Sequence, residues 1–376
     1  AAILLVLITI PGAIALINNP FPTMRLWDSP GQLGAAAIIV AGAIAATASR
    51  DRLQSIILVG VTGYGMALLF LLHGAPDLAL TQILVETVSL CVFILVTRRL
   101  PPRYRDRPRR LSRLWRLSIA LASGAIVALI AMLATDARRA VPVSVGFAKA
   151  AVEFGYGKNI VNVTLVDIRA WDTLGEIAVL VVAATGVASL IFLHTRNTDL
   201  QRSAMSGSGN SWLRAAHRVR PERRSVIFEV TTRLIFHAMI GFAIYLLFAG
   251  HNAPGGGFAG GLVVGLALLV RYLAGGRYEL DDAAPIDAGL LLGIGLTMAI
   301  VTALTPLAFG GAILQSVSLD FTLPMYGSVH IVTSLFFDIG VFLIVIGLML
   351  DIVRSLGGGI DRDAAEPAAT PEGALQ

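Results

Sequence analysis

Long apolar segments dominate the hydrophobic pattern of this chain, and short polar or basic segments separate them. A helix that crosses the hydrocarbon core of a bilayer needs about 20 mostly apolar residues. By that measure the pattern predicts about ten transmembrane helices. Their predicted ranges are roughly 1–17, 33–48, 53–72, 77–97, 114–134, 172–194, 226–248, 258–274, 286–305 and 329–350. We therefore expect an all-α polytopic membrane protein.

The composition supports a membrane protein and argues against other classes. Charged residues make up 14% of the chain and hydrophobic residues 56%, whereas soluble domains contain about 25% charged residues. The net charge of +5 comes from basic residues between the apolar segments, so we expect no nucleic-acid partner. Cys91 is the single cysteine, which excludes an intrachain disulfide or an iron–sulfur cluster built from this chain alone. We expect no cofactor and no enzymatic activity.

The distribution of Lys and Arg predicts the orientation in the membrane. If residue 1 is cytoplasmic, 22 of the 29 basic residues fall in cytoplasmic segments, as the positive-inside rule requires. Both ends are then cytoplasmic, and the protein is expected in the cell inner (plasma) membrane. The chain opens inside an apolar stretch, without Met or a basic leader. We therefore expect it to be part of a longer chain.

Asp77 and Glu86 lie in one predicted helix, within the run GAPDLALTQILVET. Charges inside a membrane are costly and usually functional. Asp77 directly follows Pro76, so it is also explained as a helix-start residue favoured by the helix dipole. Glu86 lies near mid-membrane, where it can instead be a neutral structural hydrogen bonder. Nine residues at 100° each place these carboxylates on opposite helix faces.

Other candidate groups have competing structural explanations. Glu176, in WDTLGEIAVL, can be an ion-binding carboxylate or part of a helix start that Asp172 caps. Glu229, Arg233 and His237 are spaced four apart on one helix face. A snorkelling Glu–Arg pair near the inner surface is the commoner explanation of the first two. His237 lies deeper, and a lone helical histidine is usually a packing residue.

His330 and Asp338 are predicted in the last helix, within about 80° of each other, with Asp338 close to mid-bilayer. Between two helices, residues 251–261 read HNAPGGGFAGG. The glycines match G-x-G-x-x-G, but that nucleotide motif requires a preceding strand. We instead predict a Pro/Gly-broken assembly or packing element that is buried in protein, with Gly260, Gly261 and Gly265 permitting close helix approach. Lining a cavity is a further role open to it.

Three motifs resemble parts of Mrp cation/proton antiporters. GAPDLALTQILVETVSL, followed by an arginine-rich turn, is similar to the MbhD-type region of the large A subunit, and NIVNVTLVDIRAWDTLGEIAVLVVAATGV to the MbhE-type region. HNAPGGGFAGGLVVGLALLVRYLAGG resembles the hallmark of the B subunit. The Gly/Ser-rich stretch 203–211 fits a fusion of A and B. This predicts an antiporter-like last helix (1–17), an MbhD-like region (18–113), an MbhE-like region (114–200), a cytoplasmic linker (201–225), an MrpB-like domain (226–356) and a disordered tail (357–376).

The resemblance implies a membrane subunit of a multisubunit Na⁺/H⁺ antiporter. Expected partners are the lipid bilayer, Na⁺ and H⁺, and the other membrane subunits (the remaining A part and the C, D, E, F and G types). Asp77, Glu86 and Glu176 are the implied ion-translocating acids and transient Na⁺ sites, while His237, His330 and Asp338 are further candidates. The alternatives are a membrane-arm subunit of a redox-driven, hydrogenase-like complex and a non-transporting assembly scaffold.

Overall fold

The computed structural model describes most of the chain. The described residues are 14, 27–97, 100–101, 103, 110–136, 141–195, 226–323 and 327–365. The predicted first helix therefore lies, apart from Ile14, outside the described residues, as do the predicted linker and the tail beyond residue 365.

Helices account for most of the described chain. They are α1 (Pro30–Ala48), α2 (Arg52–Leu72), α3 (Pro76–Thr97), α4 (Arg110–Asp136), α5 (Phe147–Glu153), α6 (Ile160–Val163), α7 (Ala170–Thr195), α8 (Val226–Ala249), α9 (Gly257–Ala283), α10 (Ala288–Leu304) and α11 (Ser334–Ala365). Short 3₁₀ segments lie at Val143–Gly146 and Thr305–Phe309, and a π-helical turn at Thr164–Ile168.

Nine helical segments within the described ranges are long and apolar enough to cross a membrane. They coincide with the nine predicted helices that fall inside those ranges, with boundaries displaced by a few residues. The exception is the start of the last helix. The prediction of a polytopic helical membrane protein is confirmed.

A β-hairpin replaces the predicted beginning of the last helix. Strands β1 (Ser318–Leu323) and β2 (Gly327–Val332) pair antiparallel, with Asp320 opposite His330. The placement of His330 in a helix was therefore wrong. The run VHIVT is rich in β-branched residues, which favour strands, and α11 begins beyond it at Ser334.

Two groups of helices form the bulk of the fold. Helix α2 packs between α1 and α3, while α8 packs on α9, and α9 and α10 both pack on α11. Contacts of α3 with α9 join the groups, and α7 packs on α10 and α11. Gly260 lies against the Ala243 carbonyl and Phe342, and Gly261 against Val345. The predicted close approach at these glycines is confirmed.

Contacts between connecting segments sort them into two ends of the molecule. At the end that we call outer, the Asn159 amide donates to the His251 carbonyl at 3.1 Å. At the inner end, Arg354 contacts Asp281 at 3.2 Å, and Asp51 forms an isolated β-bridge with Arg103. These contacts agree with the alternation of segments in the predicted topology, in which the outer end faces away from the cytoplasm.

Candidate functional site

A cavity of about 210 Å³ lies near the outer end of the helices. Its wall is formed by the first two or three turns of α3, α7 and α11, the start of α9, helix α6 and the π-helical turn. Three carboxylates line this outer cavity: Asp77, Glu176 and Asp338. They are separated by long stretches of sequence, so the tertiary fold alone brings them together.

Asp77 is held at the cavity by donors from two other segments. It lies in the first turn of α3, and its residue is 8% exposed. Its Oδ1 accepts hydrogen bonds from the Gly255 amide at 3.0 Å and from Asn159 Nδ2 at 3.2 Å. Hydrogen bonds of this kind offset part of the desolvation cost of a buried carboxylate. The position at the helix start is as predicted, but the side chain also has specific tertiary partners.

Asp338 is bound in the same way from the opposite wall. It is 7% exposed, its Oδ1 accepts from the Gly257 amide at 3.0 Å, and its Oδ2 accepts from Asn162 Nδ2 at 3.1 Å. The prediction of a mid-bilayer position was wrong because α11 begins at Ser334. Four residues of helix place Asp338 only about 6 Å below the start of α11.

Two asparagines link the carboxylates. Asn159 caps α6 and donates through Nδ2 to the carbonyls of Gly250 and Ala253 as well as to Asp77. Asn162, one turn later, donates to Asp338. Sequence reasoning missed both residues, although the spacing N-x-x-N places two amides on one helix face.

The Pro/Gly-broken segment supplies backbone amides to the cavity, as the predicted cavity-lining role requires. Gly255 and Gly257 donate to Asp77 and Asp338 respectively. Between them, Gly256 has φ of 96°, a conformation that glycine adopts without strain. A Cβ at Gly256 would lie 3.1 Å from Asn162 Nδ2 and 3.5 Å from Asp338 Oδ2. The break is therefore shaped around both carboxylates.

Glu176 lies in the second turn of α7 and is exposed on the described chain. The interpretation of Asp172 as an N-cap was wrong, because α7 begins at Ala170 and Asp172 forms an ion pair with Arg169 inside the first turn. Glu176 has no such capping geometry. It lines the cavity beside buried Thr173.

Glu86 lies away from the outer cavity. Its side chain occupies the space beside Gly63 of α2, where a Cβ would clash with the carboxylate. Asp77 and Glu86 therefore face different partners, as the nine-residue spacing predicts. Along α3 they are about 13 Å apart, so Glu86 is the deeper of the two.

The histidine candidates lie elsewhere. His237 is exposed on α8 and its Nδ1 lies 3.2 Å from the Arg233 carbonyl. Glu229, two turns earlier, is 1% exposed, so the two residues do not share an environment although they share a face. His330 belongs to β2, across from Asp320. His237 does not line the outer cavity.

The described part of the chain contains no group of three His, Cys, Asp or Glu residues close enough to hold one metal ion. The three cavity carboxylates therefore do not converge on a single point. An ion at this site therefore does not have all three carboxylates as ligands at once.

Three family profiles match successive parts of the chain. The first two are described as the D and E subunits of MBH, and they match residues 37–102 and 109–200. The third is described as "Domain related to MnhB subunit of Na+/H+ antiporter" and matches residues 227–351. Each cavity carboxylate comes from a different one of these matched regions.

Similar proteins and a similar structure agree with the profiles. A probable K(+)/H(+) antiporter A/B subunit of Rhizobium meliloti is 33% identical in an alignment 320 residues long, and the alignment covers 81% of this chain and 32% of that protein. The structure of the Mrp complex from Dietzia sp. contains a chain with 30% identity and a TM-score of 0.73, covering 97% of this chain and 39% of that one.

The putative antiporter subunit mnhB2 of Staphylococcus aureus (strain MRSA252) is 35% identical over 138 residues, which are 37% of this chain and 98% of that protein. The chain belongs to the Mrp antiporter subunit family. The resemblance is therefore confirmed, and this Mrp subunit is a multi-pass protein of the plasma membrane. It spans about a third of the length of the A/B relative.

Proposed function

We propose that this chain is a membrane subunit of a multisubunit cation/proton antiporter and that the outer cavity takes part in the exchange. The observation that carries the proposal is the meeting of Asp77, Glu176 and Asp338 at one cavity. They come from the MbhD-, MbhE- and MnhB-matched regions. A fold that needed these regions only for packing would have no reason to direct an acid from each into one space.

Competition between a cation and protons at these carboxylates is the proposed basis of exchange. Na⁺ and K⁺, as hard cations, suit oxygen ligands, which carboxylates and carbonyls supply. A carboxylate that binds a proton loses its charge and with it most of its affinity for the cation. Because the three acids do not converge, the ion passes from one to the next. Asn159 and Asn162 hold Asp77 and Asp338 in place.

Glu86 is assigned a later step in the same path. It lies about 13 Å deeper along α3 than Asp77, on the face towards α2. Transfer between them requires water or groups of other subunits, because the two carboxylates face different sides of α3. The outer cavity, with Asp77, Glu176 and Asp338, is thus the outer ion-binding site of the proposed path. Glu86 is the deeper site.

The transported cation is proposed to be Na⁺, with K⁺ as the second candidate. The MnhB profile carries the name of a Na⁺/H⁺ antiporter, whereas the relative that matches most of the chain is named for K⁺/H⁺ exchange. Measuring proton exchange with a sodium salt alone and with a potassium salt alone distinguishes the two cations.

The remaining subunits are the proposed partners: the rest of the A part and the C, D, E, F and G types. Two features of the described chain leave room for them. Glu176 is exposed beside the cavity, and no residue of Leu114–Met132 in α4 is buried. On this proposal the chain is part of a secondary transporter and not an enzyme.

Exchange in vesicles tests the proposal. The complex is assembled with Asp77→Asn, Glu176→Gln or Asp338→Asn, and the matched control is Asp28→Asn, an exposed acid away from the cavity. Each cavity substitution is expected to lower the rate of cation/proton exchange at least about tenfold, which corresponds to an increase of about 1.4 kcal/mol in the activation free energy. The control variant is expected to exchange at the normal rate. Normal exchange by all three assembled variants would contradict the proposal and favour a scaffold.

A redox-driven membrane arm is the second candidate, because two of the matched profiles are described as MBH subunits. The polypeptides that co-purify with the chain separate the two. Iron–sulfur or nickel–iron subunits would favour the redox complex, and a purely membrane-embedded set would favour the antiporter.

A further inference from the structure

A second polar cluster lies at the outer end, beside the cavity but not part of it. Three connecting segments meet there: the π-helical turn with Asp167, the α8–α9 connection with His251, and the segment before β1 with Ser316. Ser316 is buried, and Asp167 and His251 are partly buried. Nothing in the exchange mechanism above uses these residues.

The hydrogen bonding of the cluster is incomplete. His251 Nε2 lies 2.8 Å from the Gly155 carbonyl, so this nitrogen carries a proton and donates it. Asp167 Oδ2 is buried and has no hydrogen-bond partner among the described residues. A buried carboxylate oxygen without a donor is costly when charged. The arrangement therefore suits a carboxyl group that spends part of its time protonated.

The electrostatics of the cluster agree with this geometry. Burial raises the pKa of Asp167, while a hydrogen bond from Ser316 and the nearby His251 lower it. Burial lowers the pKa of His251, and its bond to Gly155 and the neighbouring Asp167 raise it. The titratable groups on the neighbouring segments are exposed, namely Lys149, Glu153, Tyr156, Lys158, Arg169, Asp172 and Asp320.

Short connections join the cluster to the outer cavity. Asp167 directly follows Leu165 and Val166, both of which line the cavity. The His251 carbonyl accepts from the amide of Asn159, whose side chain donates to Asp77. The cluster is thus connected to the carboxylates of the outer cavity through Val166 and Asn159.

We propose that Asp167 and His251 form a proton-collecting site that delivers protons from the outer aqueous phase to the carboxylates of the outer cavity. The inference rests on the proposed antiport function and adds its outer proton entry. The raised pKa of Asp167 lets it hold a proton at a higher outer pH than an ordinary aspartate. Protonation of the cavity then continues when the outer medium is alkaline.

The test is the dependence of exchange on outer pH at fixed inner pH, measured on the whole complex in vesicles. Asp167→Asn is expected to move the half-maximal outer pH about one unit in the acid direction, since about ten times more protons are then needed. Ser316→Ala removes a hydrogen bond that lowers the Asp167 pKa, so its half-maximal outer pH is expected to rise. Asp172→Asn is the exposed control and leaves the profile unchanged.

Opposite shifts in the two variants support the inference, because a merely structural role would not move the profile in two directions. Unchanged profiles in both variants would overturn it. If Asp167→Asn fails to assemble, Ser316→Ala decides alone. A failure of the proposed antiport function would look different. In that case complexes with Asp77→Asn or Glu176→Gln would exchange cations for protons normally at every outer pH.

Discussion

Asn159 and Asn162 each donate one amide hydrogen bond to a buried carboxylate, and they bind acids from different halves of the chain. Asn162 and Asp338 are 176 positions apart in sequence. Replacing one donor leaves a buried oxygen without its partner, which costs roughly 1–3 kcal/mol. The asparagines therefore determine where the carboxylates point, although they need not bind the ion themselves.

Asn162→Ala is expected to weaken cation binding at the outer cavity, because Asp338 is no longer held at Oδ2. A loss of roughly 1–3 kcal/mol raises the cation concentration for half-maximal exchange by about 5- to 150-fold. Titration of exchange with the cation measures this value. Asn252→Ala, the same change at an exposed asparagine, serves as the control and should retain the normal concentration.

The acidic residues of the site were visible in the sequence, whereas the amides that position them were not. Asp77, Glu86, Glu176 and Asp338 stand out because charges inside apolar runs are costly. Asn159 and Asn162 lie in a connecting segment, where polar residues are ordinary. Their role depends on tertiary contacts with segments far away in the chain, which a single sequence does not reveal.

At the scale of elements, the break between α8 and α9 contributes most to the position of the carboxylates in the outer cavity. It places two backbone amides on two carboxylates, and Gly256 at φ of 96° makes the turn between them. Irregular backbone at membrane depth is tolerated where it is buried in protein or lines a cavity. Here the backbone amides take the place of water as donors.

Gly256→Ala is expected to destabilise the assembled complex by roughly 1–3 kcal/mol, because an L-residue is strained at this φ. The added Cβ also presses on Asn162 Nδ2 at 3.1 Å. Thermal unfolding of the purified complex measures the loss. Gly241→Ala on α8, where a Cβ meets nothing in the described chain, is the control, and an equal melting temperature for both variants would contradict the account of the break.

Helix positions followed from the sequence to within a few residues, but the β-hairpin did not. Apolar runs of helical length identify spans directly. The apolar β2 residues, however, lead almost directly into α11, and short apolar runs do not distinguish strand from helix by periodicity. This error moved the predicted start of the last helix and put Asp338 too deep.

At the scale of the whole molecule, the charge distribution and the contacts agree on which connecting segments share an end. Asn159, His251 and Ser316 meet at the outer end, and Asp281 and Arg354 at the inner end. The outer cavity lies where the MbhD-, MbhE- and MnhB-matched regions come together. Joining these regions in one chain therefore places all three carboxylates on a single polypeptide.

The central claim is that cations and protons compete at the carboxylates of the outer cavity. Labelling of Glu176 by a hydrophobic carbodiimide tests this most directly, since the reagent attacks protonated carboxyl groups in apolar surroundings and Glu176 lies in the membrane-spanning part of α7. Peptide mass spectrometry of the assembled complex gives the labelling rate. Na⁺ or K⁺ is predicted to slow labelling of Glu176, and Asp338→Asn to weaken that protection. A labelling rate that neither cation changes, at concentrations that saturate exchange, would contradict the claim.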